Sequence, residues 1–288
     1  MHNIKYLKNV VIITGPARSG TSILGKILAS CNKTEYWYEP ETFQYIATIY
    51  NKISKEIWHK LYSRYVTENL LRLITGRSIN LKKNENSSIS SYKSQKEINS
   101  KLKNNLSELD LENFIKKNKI RLVIKSPNLE LKQLAKVFTK YKIVFTIRDH
   151  YEVINSIIKR NWFKGQNYLK TFLPPVKIMN KYYPIWMKKK YLKYWRGSNE
   201  ETKCAIYILC CYEEVKNLKG VIYYNYEDSI NFPKKTASRL IKKLGLKFSK
   251  KTIQILKKIK QPKSNIKLKK NLIRNKINPK VLKLLEKV

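Results

Sequence analysis

The chain has 288 residues, of which 42% are hydrophobic, so it is long and apolar enough to bury a full core. Its formal net charge is +41, from 61 basic and 20 acidic residues. No apolar run approaches the roughly 20 residues that cross a bilayer, and the start, MHNIKYLKNV, lacks the apolar stretch of a signal peptide. We therefore expect a globular, cytoplasmic protein without a transmembrane segment, for which peripheral membrane contact stays open.

The positive charge is spread along the whole chain and is carried by 51 lysines and 10 arginines. Such an even spread indicates compositional drift, although it would attract polyanions without specificity. We therefore expect no specific nucleic-acid partner. In a chain whose default cation is lysine, each retained arginine calls for a functional hypothesis.

Short apolar runs rich in Val, Ile and Tyr alternate with helical patterns along the chain. We predict strands at 9–14, 120–125, 142–147 and 220–225, and helices at 21–31, 41–76, 128–139, 150–160 and 231–244. Near-continuous apolar strands that alternate with helices are typical of a parallel sheet covered on both faces. The predicted fold class is therefore α/β, a three-layer parallel sheet flanked by helices.

We expect one domain over residues 1–288 with two irregular parts. Residues 77–106 are polar and low in apolar side chains, which predicts a mobile excursion. Residues 161–200 combine tryptophans, tyrosines and prolines, and we interpret them as an insertion over the sheet. The lysine-rich tail predicts short helices around 249–260 and 279–287.

The cysteines and histidines do not indicate a metal site. The four cysteines have no metal-type spacing and the three histidines lie far apart in the sequence. We expect no zinc site, and we interpret Cys210 and Cys211 as buried helix positions rather than a disulfide.

A glycine-bracketed loop, TGPARSGTS, joins the first predicted strand to the first helix. Gly15 and Gly20 allow tight turns, so the amides of about residues 17–22 would point into one concavity at a helix N-terminus, which predicts an anion site. The glycine spacing is that of a Walker A loop, but Thr21-Ser22 replaces the lysine and hydroxyl residue of that motif. The lysine that supports the β- and γ-phosphates of a nucleoside triphosphate is therefore missing.

A second motif begins at Arg148, where a predicted strand ends and a helix starts, at the sheet edge where α/β folds bind ligands. Ser156 follows eight residues later, about two helical turns along, and could meet the same anion. With the glycine loop, this pair resembles the sulfotransferases that use 3′-phosphoadenosine 5′-phosphosulfate (PAPS). The matching residues are Gly15, Pro16, Arg18, Gly20, Thr21, Ser22, Arg148, Asp149 and Ser156.

Two more segments, VIKSPNLELKQLAKVF and VIYYNYEDSINFPKKTASRLIKKLGL, extend the resemblance to about residues 9–46 and 120–246. It is closest to the carbohydrate and tyrosylprotein type. In the small-phenol type a histidine stands two positions after the lysine and acts as the base, whereas this chain has Lys125-Ser126-Pro127.

The resemblance implies a P-loop nucleoside triphosphate hydrolase-like sulfotransferase fold and metal-independent, in-line transfer of a sulfuryl group from PAPS to an acceptor hydroxyl. The product would be 3′-phosphoadenosine 5′-phosphate (PAP), and the acceptor a carbohydrate or glycoconjugate. The implied contacts are the 5′-phosphosulfate with Gly15, Pro16, Ala17, Arg18, Ser19, Gly20, Thr21 and Ser22, and the 3′-phosphate with Arg148 and Ser156.

The resemblance also implies catalytic roles. Arg18 would face the bridging oxygen and Lys125 the sulfuryl group. Glu39, in YWYEPETF, resembles the Glu-Pro of carbohydrate sulfotransferases and is our candidate for the base. Glu41 is the rival, although an acidic residue at a helix start often complements the helix dipole.

Roles are also expected for residues after the last strand and in the tail. Glu227 and Asp228 are expected to fix and cap the helix after the last strand, and the tail around Arg274 could close over the nucleotide. A P-loop kinase or NTPase with an atypical loop, and a polyanion-binding protein, are the alternative functions. The acceptor's identity and the oligomeric state are not readable from the sequence.

Overall fold

The computed structural model describes residues 4–126, 131–172, 175–259 and 267–288, with only the backbone for Leu134 and for residues 267–269. In these ranges it has the following strands: β1 Val10–Thr14, β2 Thr34–Tyr38, β3 Arg121–Lys125, β4 Tyr141–Ile147, β5 Val176–Ile178, β6 Lys181–Tyr183 and β7 Ile222–Asn225. Five of them form one parallel sheet in the order β2-β3-β1-β4-β7, while β5 and β6 form an antiparallel hairpin.

Helices separate the strands. In the described residues they are α1 Thr21–Ala29, α2 Glu41–Thr48, α3 Lys55–Ile74, α4 Gln95–Leu102, α5 Glu108–Asn118, α6 Leu131–Leu134, α7 His150–Ile158, α8 Asn167–Thr171, α9 Leu192–Trp195, α10 Glu200–Val215, α11 Tyr226–Asn231, α12 Pro233–Leu244, α13 Lys250–Lys257, α14 Lys267–Lys276 and α15 Pro279–Leu285. The predicted strands and the helices that follow them are confirmed, except that residues 128–130 of the predicted helix 128–139 lie outside the described residues.

Both faces of the sheet are covered, as the continuous apolar strands predict. All five residues of β1 are buried, and successive side chains alternate between two cores. Ile12 belongs to the core that α2, α3, α7 and α10 cover, and Ile13 to the core under α1, α12 and α13. The α/β fold with a parallel sheet between helical layers is confirmed.

Residues 77–106 form part of the second core. Ile89, Tyr92 and Ile98 are buried there, and Ser94 and Glu97 close a capping box at the start of α4. A buried ion pair, in which Lys101 Nζ donates to both carboxylate oxygens of Glu35 at 2.5 and 2.6 Å, ties α4 to β2. Part of this polar segment is therefore packed against the sheet, and its mobility stays a prediction.

The remaining parts differ in detail from the predicted elements. The helical stretch 41–76 consists of α2 and α3 with a break at 49–54, and the tail contains α14 in addition to the two predicted helices. Cys210 and Cys211 are buried on α10, as interpreted from the sequence. Among the described residues, none of the helices has the combination of length and apolarity needed to cross a bilayer.

Candidate active site

The glycine loop needs glycine at both ends. Gly15 has a φ of +144° and Gly20 a φ of +95°, a region that residues with a side chain rarely adopt. A Cβ on Gly15 would lie 2.2 Å from Thr146 Oγ1, and a Cβ on Gly20 would lie 2.5 Å from the ring of Tyr226. The loop is therefore pressed between β1 and the ends of β4 and β7, which fixes its shape.

Helix α1 begins directly after this loop with an uncapped N-terminus. Gly20 is its N-cap residue and no side chain caps the helix. Thr21 and Ser22 form the first turn, so their amides and hydroxyls lie where the helix dipole favours an anion. This end of α1 can hold a phosphate-like group.

Two loop residues are engaged within the protein. The amide of Ala17 donates to the buried Tyr207 hydroxyl at 2.9 Å. The Ser19 hydroxyl is buried, donates to the carbonyl of Pro16 at 2.6 Å and lies 2.5 Å from Thr146 Oγ1. The expectation that the amides of about residues 17–22 face one concavity is therefore wrong at Ala17 and at Ser19, whose amide donates to the carbonyl of Pro16 at 3.1 Å.

The structure brings Arg18, Arg148 and Ser156 into direct contact. Arg18 has a φ of +73° and its Nε donates to Ser156 Oγ at 3.0 Å. Arg148 Nη1 donates to the carbonyl of Arg18 at 2.8 Å. The second motif thus lies against the glycine loop, although 130 residues separate Arg18 from Arg148.

Positive charge is concentrated at this corner. Burial lowers the pKa of Arg18, and the charges of Arg160 and Arg148 lower it further. Glu152 is the acid that balances Arg148, accepting from its Nε at 3.2 Å and its Nη2 at 2.8 Å. An anion bound here would relieve the repulsion between the guanidinium groups. Arg160 was not predicted from the sequence, although the scarcity of arginine could have pointed to it.

Two other residues that the sequence reasoning missed, Tyr226 and Lys270, support the corner. The ring of Tyr226 packs against the Arg148 guanidinium, 4.4 Å from its Cζ. Lys270 of α14 donates to Asp149 Oδ2 at 2.6 Å, which brings α14 beside α7. Asp149 Oδ1 caps α7 by accepting from the amide of Glu152.

The roles expected for Glu227 and Asp228 are corrected. Asn225 caps α11, because its Oδ1 accepts from the amide of Asp228 at 2.8 Å. Glu227 instead accepts from the amide of Asp149 at 3.0 Å and so joins the ends of β7 and β4. In the tail, Arg274 donates to Glu286 Oε1 from its Nε at 3.0 Å and from its Nη2 at 2.8 Å. Closure of this part of the chain over the nucleotide stays a prediction.

Glu39 and Lys125 meet at the ends of β2 and β3. The parallel register places Tyr38 opposite Lys125, and the amide of Glu39 donates to the carbonyl of Lys125 at 2.9 Å. Lys125 Nζ then donates to Glu39 Oε1 at 2.6 Å and lies 4.4 Å from the centre of the Tyr38 ring. Lys125 is 7% exposed and Glu39 42% exposed at the side chain, so the carboxylate faces outward from a buried cation.

Glu39 also has an unusual backbone conformation, with a φ of +48°. A glutamate in the left-handed region costs free energy, and such residues are concentrated at functional sites. The rival Glu41 is exposed in the first turn of α2, where an acid complements the helix dipole. The described residues contain no group of three or more His, Cys, Asp and Glu suited to a metal ion; metal independence stays a prediction.

A family model and several solved structures are similar to this chain. The sequence model of the sulfotransferase family matches residues 10–250. The sulfotransferase domain from the Synechococcus PCC 7002 olefin synthase is 15% identical, with a TM-score of 0.49, over 98% of this chain and 95% of that chain. The sulfotransferase domain from the curacin biosynthetic pathway is also 15% identical, with a TM-score of 0.48, over 93% and 97%.

Sulfotransferase STF1 from Mycobacterium tuberculosis H37Rv is 11% identical, with a TM-score of 0.43, over 94% of this chain and 76% of that chain. No curated protein matches the chain. The family match includes the glycine loop, Lys125, Arg148 and Ser156 and spans most of the sequence. The chain therefore belongs to the sulfotransferase family and is a PAPS-dependent sulfotransferase.

Proposed function

We propose that this enzyme transfers the sulfuryl group of PAPS to a hydroxyl of a carbohydrate or glycoconjugate, without a metal ion and with Glu39 as the base. The observation that carries the proposal is the meeting of Arg18, Arg148 and Ser156 at one corner of the sheet edge. The Lys125–Glu39 ion pair lies at the ends of neighbouring strands on the same edge.

The residues present fit the donor nucleotide. The uncapped start of α1, with Thr21 and Ser22, suits the 5′-phosphosulfate, while Arg148 and Ser156 suit the 3′-phosphate. Side chains at Gly15 or Gly20 would collide with Thr146 or Tyr226, so the backbone alone shapes the cradle. Nucleotide binding would require Arg148 to share its guanidinium between Glu152 and a phosphate.

In the proposed reaction the protein stabilises the charge on the leaving group and removes a proton from the acceptor. The bond between sulfur and the bridging phosphate oxygen breaks, its electron pair stays on that oxygen, and Arg18 and Lys125 offset the developing charge. The acceptor oxygen forms the new bond to sulfur and its proton passes to the Glu39 carboxylate. A lysine ammonium has three donors, so Lys125 can position Glu39 and still donate to an incoming oxygen.

The test is transfer of labelled sulfate from PAPS to a panel of sugars and glycosides. We expect Glu39→Gln to bind PAP with an unchanged Kd and to lose about 100- to 10,000-fold in transfer rate, the usual contribution of a general base. Glu41→Gln is the matched control and should transfer normally. Normal transfer by Glu39→Gln would show that the base is another group.

The same preparation separates the proposed function from its alternatives. A wild-type enzyme that fails to bind PAP would refute the proposal. Magnesium-dependent ATP turnover that is lost in Arg18→Ala would instead indicate a kinase or NTPase. If the Gly20→Val variant, whose loop is disrupted, keeps every measured activity of the wild type, and high salt abolishes that activity, the protein is a polyanion binder.

A further inference from the structure

A pocket of about 250 Å³ lies beside Glu39. Its walls come from the end of β2, from one face of α3 and from segment 78–92, and they include Tyr38, Pro40, Tyr65, Asn69, Asn80 and Tyr92. Tyr38 and Pro40 are the two chain neighbours of Glu39, and Lys125 lies against the ring of Tyr38. The pocket therefore opens next to the proposed catalytic pair.

The lining of this pocket contrasts with the rest of the molecule. Every side chain that the described residues contribute to it is uncharged, although 61 of the 288 residues are basic. The lining combines tyrosine and tryptophan rings with asparagine and serine side chains. Aromatic faces with a few convergent polar groups are typical of sites for small organic ligands.

We propose that this pocket binds the acceptor, and that it selects an uncharged, hydroxylated ring such as a neutral sugar residue; this rests on the proposed function. A volume of about 250 Å³ is below the roughly 300 Å³ at which pockets for drug-sized ligands begin. It therefore holds one ring rather than an oligosaccharide. A carboxylate or sulfate in the ligand would lose water here without gaining a cation, which opposes an acidic glycan.

Asn69 supplies a polar contact for such a ring. Its Nδ2 donates to the carbonyl of Tyr65 at 2.8 Å within α3. Among the described residues its Oδ1 has no partner, so it can accept from a ligand hydroxyl. Asn80 is instead bonded within segment 78–92. Its Nδ2 donates to Glu85 and Ser87, and its Oδ1 accepts from the amide of Lys82, so these bonds stabilise this wall of the pocket.

Two lysines that follow segment 78–92, Lys93 and Lys101, are bonded to β2 or to the residues just before it. Lys93 is 4% exposed and donates to the carbonyl of Cys31 at 3.5 Å and to Thr34 Oγ1 at 3.4 Å. Lys101 is paired with Glu35. The ring of Tyr92 packs edge-on against Tyr36 at 5.3 Å. These contacts fix segment 78–92 to β2, which ends directly before Glu39, and hold the ammonium groups of Lys93 and Lys101 away from the pocket.

The experiment compares labelled sulfate transfer to neutral p-nitrophenyl glycosides, the β-galactoside, β-glucoside and N-acetyl-β-glucosaminide, with transfer to the acidic p-nitrophenyl β-glucuronide. We expect at least one neutral glycoside to exceed the glucuronide by about tenfold or more in kcat/KM. Ser78→Trp, which places an indole at the exposed edge of the pocket, should raise KM for that glycoside by about tenfold and leave the Kd of PAP unchanged.

Two further variants complete the design. Asn69→Leu should raise the same KM by about three- to tenfold, the contribution of one hydrogen bond. Ser100→Trp, at an exposed position on α4 outside the pocket, is the matched control and should behave as wild type. The pocket proposal is overturned if PAP binds normally but the glucuronide is the better acceptor, if none of the neutral glycosides is sulfated, or if Ser78→Trp and Asn69→Leu keep the wild-type KM. Failure of PAP to bind would refute the proposed function instead.

Discussion

Replacing Arg148 with lysine tests recognition of the 3′-phosphate without removing the charge. Arg148 donates twice to Glu152 and once to the carbonyl of Arg18, and it packs against the ring of Tyr226. These contacts fix a planar fork of donors at the corner. A lysine at this position keeps one charge but cannot donate in two parallel directions, so bidentate binding of a phosphate is lost.

The expected change in the Kd of PAP follows from the hydrogen bonds that Arg148→Lys loses. A hydrogen bond to a charged group contributes about 1.5–3 kcal/mol, and loss of one such bond raises Kd about 10- to 150-fold. PAP should therefore bind Arg148→Lys more weakly by this factor. ADP has no 3′-phosphate, so its Kd should stay within about twofold of the wild-type value. The preference for PAP over ADP should thus collapse.

Titration calorimetry with PAP and ADP measures both constants on the same preparations. Arg239→Lys is the matched control, because Arg239 is exposed on α12. Thermal unfolding checks that Arg148→Lys is folded, since a lysine can still pair with Glu152. If Arg148→Lys keeps the wild-type preference for PAP over ADP, the assignment of the 3′-phosphate to Arg148 is wrong.

Three further predictions concern stability. Lys101→Met should lower the free energy of unfolding, measured in urea, by about 3–5 kcal/mol, because it leaves the Glu35 carboxylate buried without a cation. Adding Glu35→Leu to this variant should recover most of the lost stability. If the double variant is no more stable than Lys101→Met, the buried-charge explanation is wrong. Tyr207→Phe should cost about 1–3 kcal/mol in the same assay, because the amide of Ala17 loses its acceptor; a wild-type value would show that another group replaces the hydroxyl.

The third prediction concerns His150, whose pKa burial lowers below its ordinary value of 6.5. The unfolded chain therefore binds this proton at a higher pH than the folded chain, and stability falls as the pH drops through 6.5. His150→Asn should lose less stability than wild type between about pH 7.5 and 5.5. An equal loss in both proteins would contradict the assignment.

The sheet and the positions of the proposed site residues could be predicted because both follow from local patterns. Strands buried on two faces are continuous apolar runs, and β1 and β4 are such runs. In a parallel sheet the carboxyl ends of the strands lie along one edge, so residues at or just after strand ends, such as Lys125 and Arg148, lie on that same edge. The glycine loop and the helix after it are equally local.

Contacts between distant parts of the chain could not be predicted in this way. Tyr207 contacts Ala17 across 190 residues, and the ring of Tyr226 lies against Gly20, yet no local pattern in the sequence indicates either contact. The packing of part of residues 77–106 against the sheet could not be predicted for a related reason. Their polar composition includes Lys93 and Lys101, whose burial is compensated because Lys93 pairs with Glu97 and Lys101 with Glu35.

Charge balance distinguishes three regions of this strongly basic chain. At the corner of Arg18, Arg148 and Arg160 the cations outnumber the nearby acid, so an anion is favoured. At Lys125 and Glu39 one cation meets one carboxylate. The pocket beside them has no charged lining residue in the described part of the chain. Under the proposed function, the charge of each region matches the reactant that it would bind. The PAPS donor carries several negative charges and would lie at the arginine corner, whereas a neutral acceptor would lie in the uncharged pocket. The overall charge of +41 then contributes to the encounter with anions rather than to selection of the acceptor.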